Sequence, residues 1–231
     1  MLELTQNSQP QYTPPMVTAR ATFAFVGERL WLDFVNSELS SRNSDALVDF
    51  DALVQWLEAA TILDAERAGG IRRRAIQQPA GAAASLIDAR RVRTSLRALA
   101  ERGQANERIR LDALSEINRV LGRSAGTRRL DLRTDGTFGR SFVPVGDAFA
   151  GLVIPVVESA ADALIAGELS RVRRCADSRC SRVFFDTTKN GRRRWCDMAT
   201  CGNRAKAARH REKVRNADAV VIEPPPPPMR A

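Results

Sequence analysis

The sequence predicts a helix-dominated α+β body followed by a small, cysteine-rich C-terminal module. Apolar residues recur at helical spacing in five or six stretches between residues 21 and 168, with only a few short strand patterns between them. All four cysteines lie beyond this region, between residues 175 and 201. With 231 residues and 44% apolar content, the chain can form one substantial core plus a small module, and general disorder is excluded.

The cysteines form two pairs of identical spacing, Cys175-x4-Cys180 and Cys196-x4-Cys201, separated by fifteen residues. Two short cysteine loops can each supply one edge of a tetrahedral Zn²⁺ site, and four thiolates leave no open coordination position. We therefore predict one structural zinc ion. Two disulfides are the alternative, but they belong to oxidising compartments. The N-terminal residues lack the charged and apolar segments of a secretory signal, so we expect a cytoplasmic protein.

The residues around the cysteines predict a hairpin followed by a helix. Val183–Phe185 is typical of a short strand, Lys189–Gly191 of a turn in which Asn-Gly supplies positive φ, and Arg192–Trp195 of the returning strand. From Asn203 onward the sequence has high helix propensity and no proline or glycine up to residue 216, with Asn203 placed to cap the first turn. This order predicts a treble-clef-like or ribbon-like finger.

These motifs resemble the CGNR zinc finger. The resemblance rests on the string FFDTTKN at 184–190, on RWC at 194–196 and on Cys201–Arg204. In that family the finger follows a helix-rich ABATE domain, and the proteins are regarded as candidate bacterial transcription regulators, often linked to stress. The N-terminal half is similar to that domain through FVG at 25–27, LDFVN at 32–36 and Trp56-Leu57. A second small residue is expected after Gly27, where this chain has Glu28.

The positive charge of the protein is concentrated in the finger. Residues 171–216 contain fifteen Lys and Arg against four Asp and Glu, a net charge of +11, whereas the whole chain carries +9. Such a local field attracts polyanions, of which nucleic acid is the commonest. The residues that we predict to bind nucleic acid are Arg192, Arg193, Arg194, Arg204, Lys206, Arg209, Arg211 and Lys213.

The basic residues of the last helix divide between two faces. Lys206, Arg209 and Lys213 share one face at helical spacing, and Arg204, Arg211 and Arg215 lie roughly opposite. For any single arginine here, a solvated side chain is the alternative to a nucleic-acid contact. Arg204 adjoins the cysteines and could donate hydrogen bonds to their thiolates. Trp195 is expected in a small core of the finger.

The body is expected to begin with a short strand at 23–26 and a helix whose apolar residues are Leu30, Trp31, Phe34, Val35 and Leu39. Asp33 and Asn36 interrupt this apolar run. They could line a small-molecule pocket, or they could hydrogen-bond to neighbouring loops. A second helix follows a cap at Asp49 or Asp51, and a third runs from residue 64 to about residue 78.

Four further elements complete the body. Helices are predicted over 81–102, where the basic run 90–93 is expected to be a solvated face, and over 111–122. Residues 130–132 and 138–143 flank Asp135-Gly136 and predict a hairpin. The last helix is predicted over 147–169, with Pro155 kinking it or shortening its start.

We expect a flexible N-terminal segment at 1–20, the ABATE-like domain at 21–168, the finger at 171–216 and a disordered proline-rich tail at 217–231. The connection between the two domains is short, so we expect them to pack together. The finger is predicted to bind DNA, and the body to sense an unidentified small molecule or to mediate assembly, for example as a homodimer. No apolar run is long enough to span a membrane.

Two other classes of function remain open from the sequence. The finger could belong to an adaptor that binds RNA or protein. An enzyme is not expected: His210 is the only histidine, which excludes Ser-His-Asp and multi-histidine sites, and no glycine-rich phosphate loop is present. A catalytic site built from carboxylates or arginines is not excluded by these counts.

Overall fold

The computed structural model describes residues 23–38, 45–123, 126–132, 138–145 and 149–220. The predicted flexible segment at 1–20, the turn at 134–137 and residues 221–231 of the predicted tail lie outside these ranges. Residues 217–220, which were predicted to belong to the disordered tail, form the end of the last helix. The body contains α1 (Leu30–Asn36), α2 (Phe50–Ala59), α3 (Ala65–Gln77), α4 (Pro79–Arg102), α5 (Glu107–Arg123), β1 (Gly126–Leu132), β2 (Phe138–Pro144) and α6 (Ile154–Ile165). The finger contains β3 (Val172–Arg174), β4 (Val183–Phe185) and α7 (Asn203–Val220).

The core of the body is built around α4, which packs against α1, α2, α3 and α5. Trp31 and Phe34 of α1 and Trp56 of α2 are fully buried, and the Phe34 and Trp56 rings meet edge to face at 4.9 Å. The strands β1 and β2 pair as an antiparallel hairpin beside α6.

Among the described helices, none combines the length and the apolar character needed to cross a bilayer. The fold is therefore α+β and helix-dominated, as predicted.

The helix starts follow local chemistry. The Asp49 carboxylate accepts a hydrogen bond from the Ala52 N–H at 2.8 Å, so of the two residues predicted to cap α2 the structure shows Asp49. Asp64 caps α3 in the same way, accepting from the Arg67 N–H at 2.8 Å, although only the start of this helix was predicted. Helix α6 begins at Ile154 and not near residue 147, because Pro155 is tolerated only in the first turn. Of the two effects predicted for Pro155, the structure shows the shortened start.

Two predicted strands are absent. Residues 24–26 belong to no strand, and Gly27 accepts a backbone hydrogen bond from the Phe185 N–H at 2.9 Å. Residues 192–195 do not return as a strand beside β4. Instead, β4 pairs antiparallel with β3, which precedes the first cysteine, with Val172 opposite Phe185. The Arg193 N–H donates to the Asp186 carboxylate, so it is not available to a ladder with β4.

Strand β4 has two apolar faces that belong to different clusters. Val183 and Phe185 are buried in the main core of the body, whereas Phe184 between them is buried against the four cysteines. This alternation follows from the two-residue period of a strand. Val26 of the body also packs against the cysteine cluster. The body and the finger thus pack against each other, as the short connection predicted.

Polar contacts fix the register of this packing. The Asn36 side chain donates to the Val183 carbonyl at 2.8 Å and accepts from the Val183 N–H at 2.9 Å. Arg97 of α4 donates to the Ser181 carbonyl at 2.8 Å. The Arg29 guanidinium lies over the Phe185 ring, 3.9 Å from its centroid, and forms an ion pair with Glu168 at 2.6 Å. The interface is therefore apolar at its centre and hydrogen-bonded around it.

We expect Asn36→Ala to lower the free energy of unfolding by about 2 to 4 kcal/mol, because it removes two hydrogen bonds and leaves two buried backbone groups of Val183 unsatisfied. Urea unfolding followed by far-UV circular dichroism would measure the change. The control is Asn118→Ala on the exposed side of α5, which should change the free energy little. Equal stability of both variants would mean that the Asn36 contacts do not hold the finger to the body.

Candidate metal centre and basic surface

The four cysteine sulfurs lie together in the finger, all within 4.8 Å of one another. The Sγ atoms of Cys180 and Cys196 are 3.8 Å apart, and those of Cys196 and Cys201 are 3.7 Å apart. A tetrahedral zinc ion with Zn–S bonds of about 2.3 Å requires sulfurs separated by about 3.8 Å. A disulfide would require a separation of about 2.0 Å, and all four cysteines are free. The spacing fits a four-thiolate zinc site.

The charge of the cluster also favours a cation. All four cysteines are buried. The hydrogen bond from Cys196 lowers the pKa of the Cys180 thiol to about 5. The hydrogen bond to Cys180, burial and the neighbouring sulfur charges raise the pKa of the Cys196 thiol. Four buried thiolates repel one another, so all of them ionise together only when a divalent cation neutralises part of their charge.

Three of the four cysteines are held by the local backbone. Cys175 follows β3, and its N–H donates to the Arg182 carbonyl at 2.9 Å. Cys180 closes a tight turn by donating to the Asp177 carbonyl at 2.8 Å. Cys201 lies in a single π-helical turn, Met198–Gly202, that leads into α7. Asp197 caps this turn by accepting from the Ala199 N–H at 3.0 Å. Asn203 has helical backbone angles and its side chain donates to the Ala199 carbonyl at 3.0 Å, so the cap predicted at Asn203 is wrong.

Arg204 connects α7 to the metal centre. Its Nη2 donates to the Cys201 sulfur at 2.9 Å, and its Nε donates to the Asp177 carboxylate at 2.8 Å. Asp177 itself lies in the loop between the first two cysteines. The thiolate and this carboxylate raise the pKa of the Arg204 guanidinium further. The Arg204 side chain thus bonds both to a cysteine of the second pair and to the loop between the cysteines of the first pair.

Asp186 organises the loop after β4, a role that was not predicted. Its buried carboxylate accepts from the Thr188 N–H at 2.9 Å, from the Thr188 hydroxyl at 2.5 Å and from the Arg193 N–H at 2.9 Å. Burial opposes ionisation of Asp186, but the hydrogen bonds from Thr188 and Arg193 outweigh it and lower the pKa. The signal was present in the string FFDTTKN, where an acidic residue directly follows two buried aromatic residues.

The predicted nucleic-acid-binding residues separate into two groups. Arg193 and Arg204 are bonded within the protein. Arg193 donates to Glu28 at 2.8 Å and to the Cys196 carbonyl at 2.6 Å, and it stacks over the Phe184 ring at 4.7 Å. The other six are exposed and pair with no carboxylate in the described part of the chain: Arg192, Arg194, Lys206, Arg209, Arg211 and Lys213.

Asp33 and Asn36 are buried beside the finger. The Asp33 carboxylate accepts from the Gly27 N–H at 2.7 Å, and a Cβ atom at Gly27 would lie only 2.8 Å from the Asp33 nitrogen. Asn36 is bonded to Val183, as described above. A ligand pocket at these two residues stays a prediction, and neither of them lines the cavity described below.

The basic run at 90–93 is not a solvated face, because Arg93 is only 4% exposed. Arg93 forms an ion pair with Asp45, and Arg90 donates to the Leu47 carbonyl at 2.6 Å. Arg91 pairs with Glu116 at 3.1 Å. The expectation was wrong for Arg93 because its position on α4 faces the segment that leads into α2. Substitutions here would perturb the body and would be poor controls for binding experiments.

Two family models match this chain. Residues 28–168 match the ABATE family, whose description is "Putative stress-induced transcription regulator", and residues 171–214 match the CGNR zinc finger. Because the first match covers more than half of the chain, this protein belongs to the ABATE family, and it carries a C-terminal CGNR zinc finger with one structural zinc ion. Neither description names an enzymatic activity. A search of curated proteins found no match.

We expect Cys196→Ser to lose the zinc ion and to unfold the finger, because the serine hydroxyl is a poor substitute for a thiolate ligand. Metal analysis of the purified protein would give the zinc content per chain. Since β4 also belongs to the core of the body, circular dichroism should show lower thermal stability of the helices. Ser178→Ala, an exposed substitution in the loop between the first two cysteines, is the control. A Cys196→Ser variant that keeps one zinc per chain and its fold would rule out a four-thiolate site.

We expect Arg204→Gln to weaken zinc binding about 10- to 100-fold, the usual effect of removing a group that hydrogen-bonds a metal ligand. Competition with a chromogenic chelator would measure the affinity. Arg211→Gln removes the same charge from an exposed position of α7 and should leave the affinity unchanged. Equal effects of the two substitutions would indicate a general electrostatic influence and not the bond to Cys201.

Proposed function

We propose that this protein is a DNA-binding transcription regulator whose finger contacts DNA and whose N-terminal domain senses a ligand or mediates assembly. The observation that supports the proposal is the exposed basic helix α7. From residue 206 to residue 216 its side chains are exposed, and five Lys and Arg within these positions are accompanied by a single glutamate. An exposed helix with this charge is suited to a polyanion.

The dimensions of α7 suit duplex DNA. It has 18 residues, and at a rise of about 1.5 Å per residue it is about 27 Å long. The major groove of DNA admits an α-helix, and basic side chains along it can reach phosphates on either side. Arg192 and Arg194 are exposed on the segment before the third cysteine and add two further basic groups to the finger. Counterion release would supply most of the affinity.

We propose that the zinc ligands are Cys175, Cys180, Cys196 and Cys201. The proposed finger spans residues 171–216 and follows a body at residues 21–168. The zinc ion would have no catalytic role, because four thiolates leave no position for water or substrate. Its role would be to hold the start of α7 against the loop that contains Asp177, with Arg204 joining the two. A bacterial regulator of this kind acts in the cytoplasm, and we propose that location for this protein.

Charge reversal of Lys206, Arg209 and Lys213 to glutamate should weaken binding to duplex DNA and flatten its salt dependence. The slope of log affinity against log salt should fall by about 0.9 for each phosphate that the variant no longer neutralises. Fluorescence anisotropy of the zinc-loaded protein with a labelled duplex, over a salt series, would measure both quantities. A single-stranded RNA of matched length should bind more weakly.

The matched control is the triple reversal of Arg102, Arg108 and Arg110, which are exposed around the loop between α4 and α5. It changes the net charge by the same amount at positions outside α7 and outside the finger. Equal weakening by both triple variants would mean that α7 is not the binding face. Tighter binding to the RNA than to the duplex would replace the DNA proposal with an RNA-binding one.

A further inference from the structure

A cavity of about 400 Å³ lies in the body, between α3, β2 and the start of α6. Its walls are mostly apolar, and the buried residues that form them include Leu63, Ile71, Phe142 and Leu152. The volume lies within the range of small-molecule sites, about 300 to 1,000 Å³. No function described above uses this cavity.

Two arginines line this apolar cavity. Arg67, Gly70, Ile71 and Arg74 lie at i, i+3, i+4 and i+7 of α3, so one face of the helix forms the wall. Within the described part of the chain, neither arginine forms an ion pair. Arg67 is half-buried and donates through Nη2 to the Phe142 carbonyl at 2.8 Å, and Arg74 is exposed. Most other half-buried arginines of the body, such as Arg29, Arg72 and Arg119, are paired with carboxylates.

The first turn of α6 adds positive potential to the same site. Leu152 and Pro155 line the cavity, and α6 begins at Ile154 with no side-chain cap. The start of a helix carries a partial positive charge. Two guanidinium groups and a helix start thus meet beside apolar walls, and the described lining contains no acidic residue.

A glycine keeps the cavity open. Gly70 is in the interior of α3, where glycine costs helix stability relative to other residues. It lines the cavity, and the nearest atom to a Cβ built there is the end of the Arg73 side chain, at 3.8 Å. A Cβ at residue 70 therefore meets no backbone atom, and we expect a larger side chain there to extend into the cavity.

We propose that this cavity binds a small amphipathic carboxylate, with the apolar part against Ile71, Phe142 and Leu152 and the carboxylate paired with Arg67 and Arg74. Charge-assisted bonds to arginine suit a planar carboxylate. A neutral apolar molecule would leave both guanidinium groups unpaired, and a simple inorganic anion would leave the apolar walls unfilled.

The position of the cavity also connects it to the finger. Helix α6 begins at the cavity and ends shortly before Glu168, which pairs with Arg29 over the Phe185 ring of β4. A carboxylate bound at the start of α6 therefore contacts the helix that leads into the finger. The inference rests on the ligand-sensing part of the proposed function, and it does not depend on DNA binding.

Isothermal titration of the full-length, zinc-loaded protein with octanoate tests the site. The control probes are 1-octanol, which lacks the carboxylate, and acetate, which lacks the long apolar chain. We expect octanoate to bind at least about tenfold more tightly than either, because only octanoate both fills the apolar walls and pairs with arginine. Equal binding of 1-octanol, or no heat from octanoate at millimolar concentration, would overturn the proposal.

Three variants locate the binding. Arg74→Gln should weaken octanoate binding about tenfold, and Arg73→Gln, an equal loss of charge at an exposed neighbour that does not line the cavity, should leave it nearly unchanged. Gly70→Leu should abolish binding while the protein stays folded, since leucine favours helix. Equal weakening by Arg73→Gln and Arg74→Gln, or full binding by a folded Gly70→Leu variant, would also overturn it. Duplex binding measured by anisotropy on the same samples separates failure of this site from failure of the finger.

Discussion

Strand β4 belongs to both hydrophobic clusters of this protein, and the arrangement of the two domains depends on it. Val183 and Phe185 complete the core of the body, while Phe184 covers the cysteines. A strand this short has little stability of its own. Its pairing with β3, the Asn36 side chain and the core contacts hold it in place. The body therefore supplies contacts that stabilise β4, and a free-standing finger would lack these contacts.

Metal binding and the stability of the body are coupled through this strand. A structural zinc ion contributes folding free energy to the segment that it holds, and here that segment includes part of the core. A ligand that binds only the folded state stabilises everything that folds with it. The same coupling fixes the direction of α7, because its first turn is joined to the cluster by Cys201 and Arg204. The exposed basic side chains of α7 are thus held in a fixed direction relative to the cysteine cluster.

The arginines of this chain perform distinct tasks that their sequence neighbours do not reveal. Arg193 is bonded inside the finger, although Arg192 and Arg194 beside it are exposed. Its partner Glu28 has a φ of 62°, an uncommon value for a residue with a side chain, at the position where a small residue was expected. The ion pair with Arg193 gives a physical reason for a glutamate there. A net charge of +11 over residues 171–216 therefore overstates the charge that is available to a partner.

The sequence by itself determined the features that depend on local spacing and composition: the helices of the body, a cap at Asp49 or Asp51, the cysteine pairs with their zinc ion, and the family. It did not determine which segments meet. The partner of β4 was mispredicted because Asn190-Gly191 only indicated a turn, and the sequence did not show that the Asp186 carboxylate accepts the Arg193 N–H that a ladder with β4 would need. The cavity beside α3 and the contacts of Asn36 with Val183 were also decided by tertiary structure, because they join residues 75 or more positions apart in the chain. Local patterns specify elements, whereas burial and hydrogen bonding between distant residues specify sites.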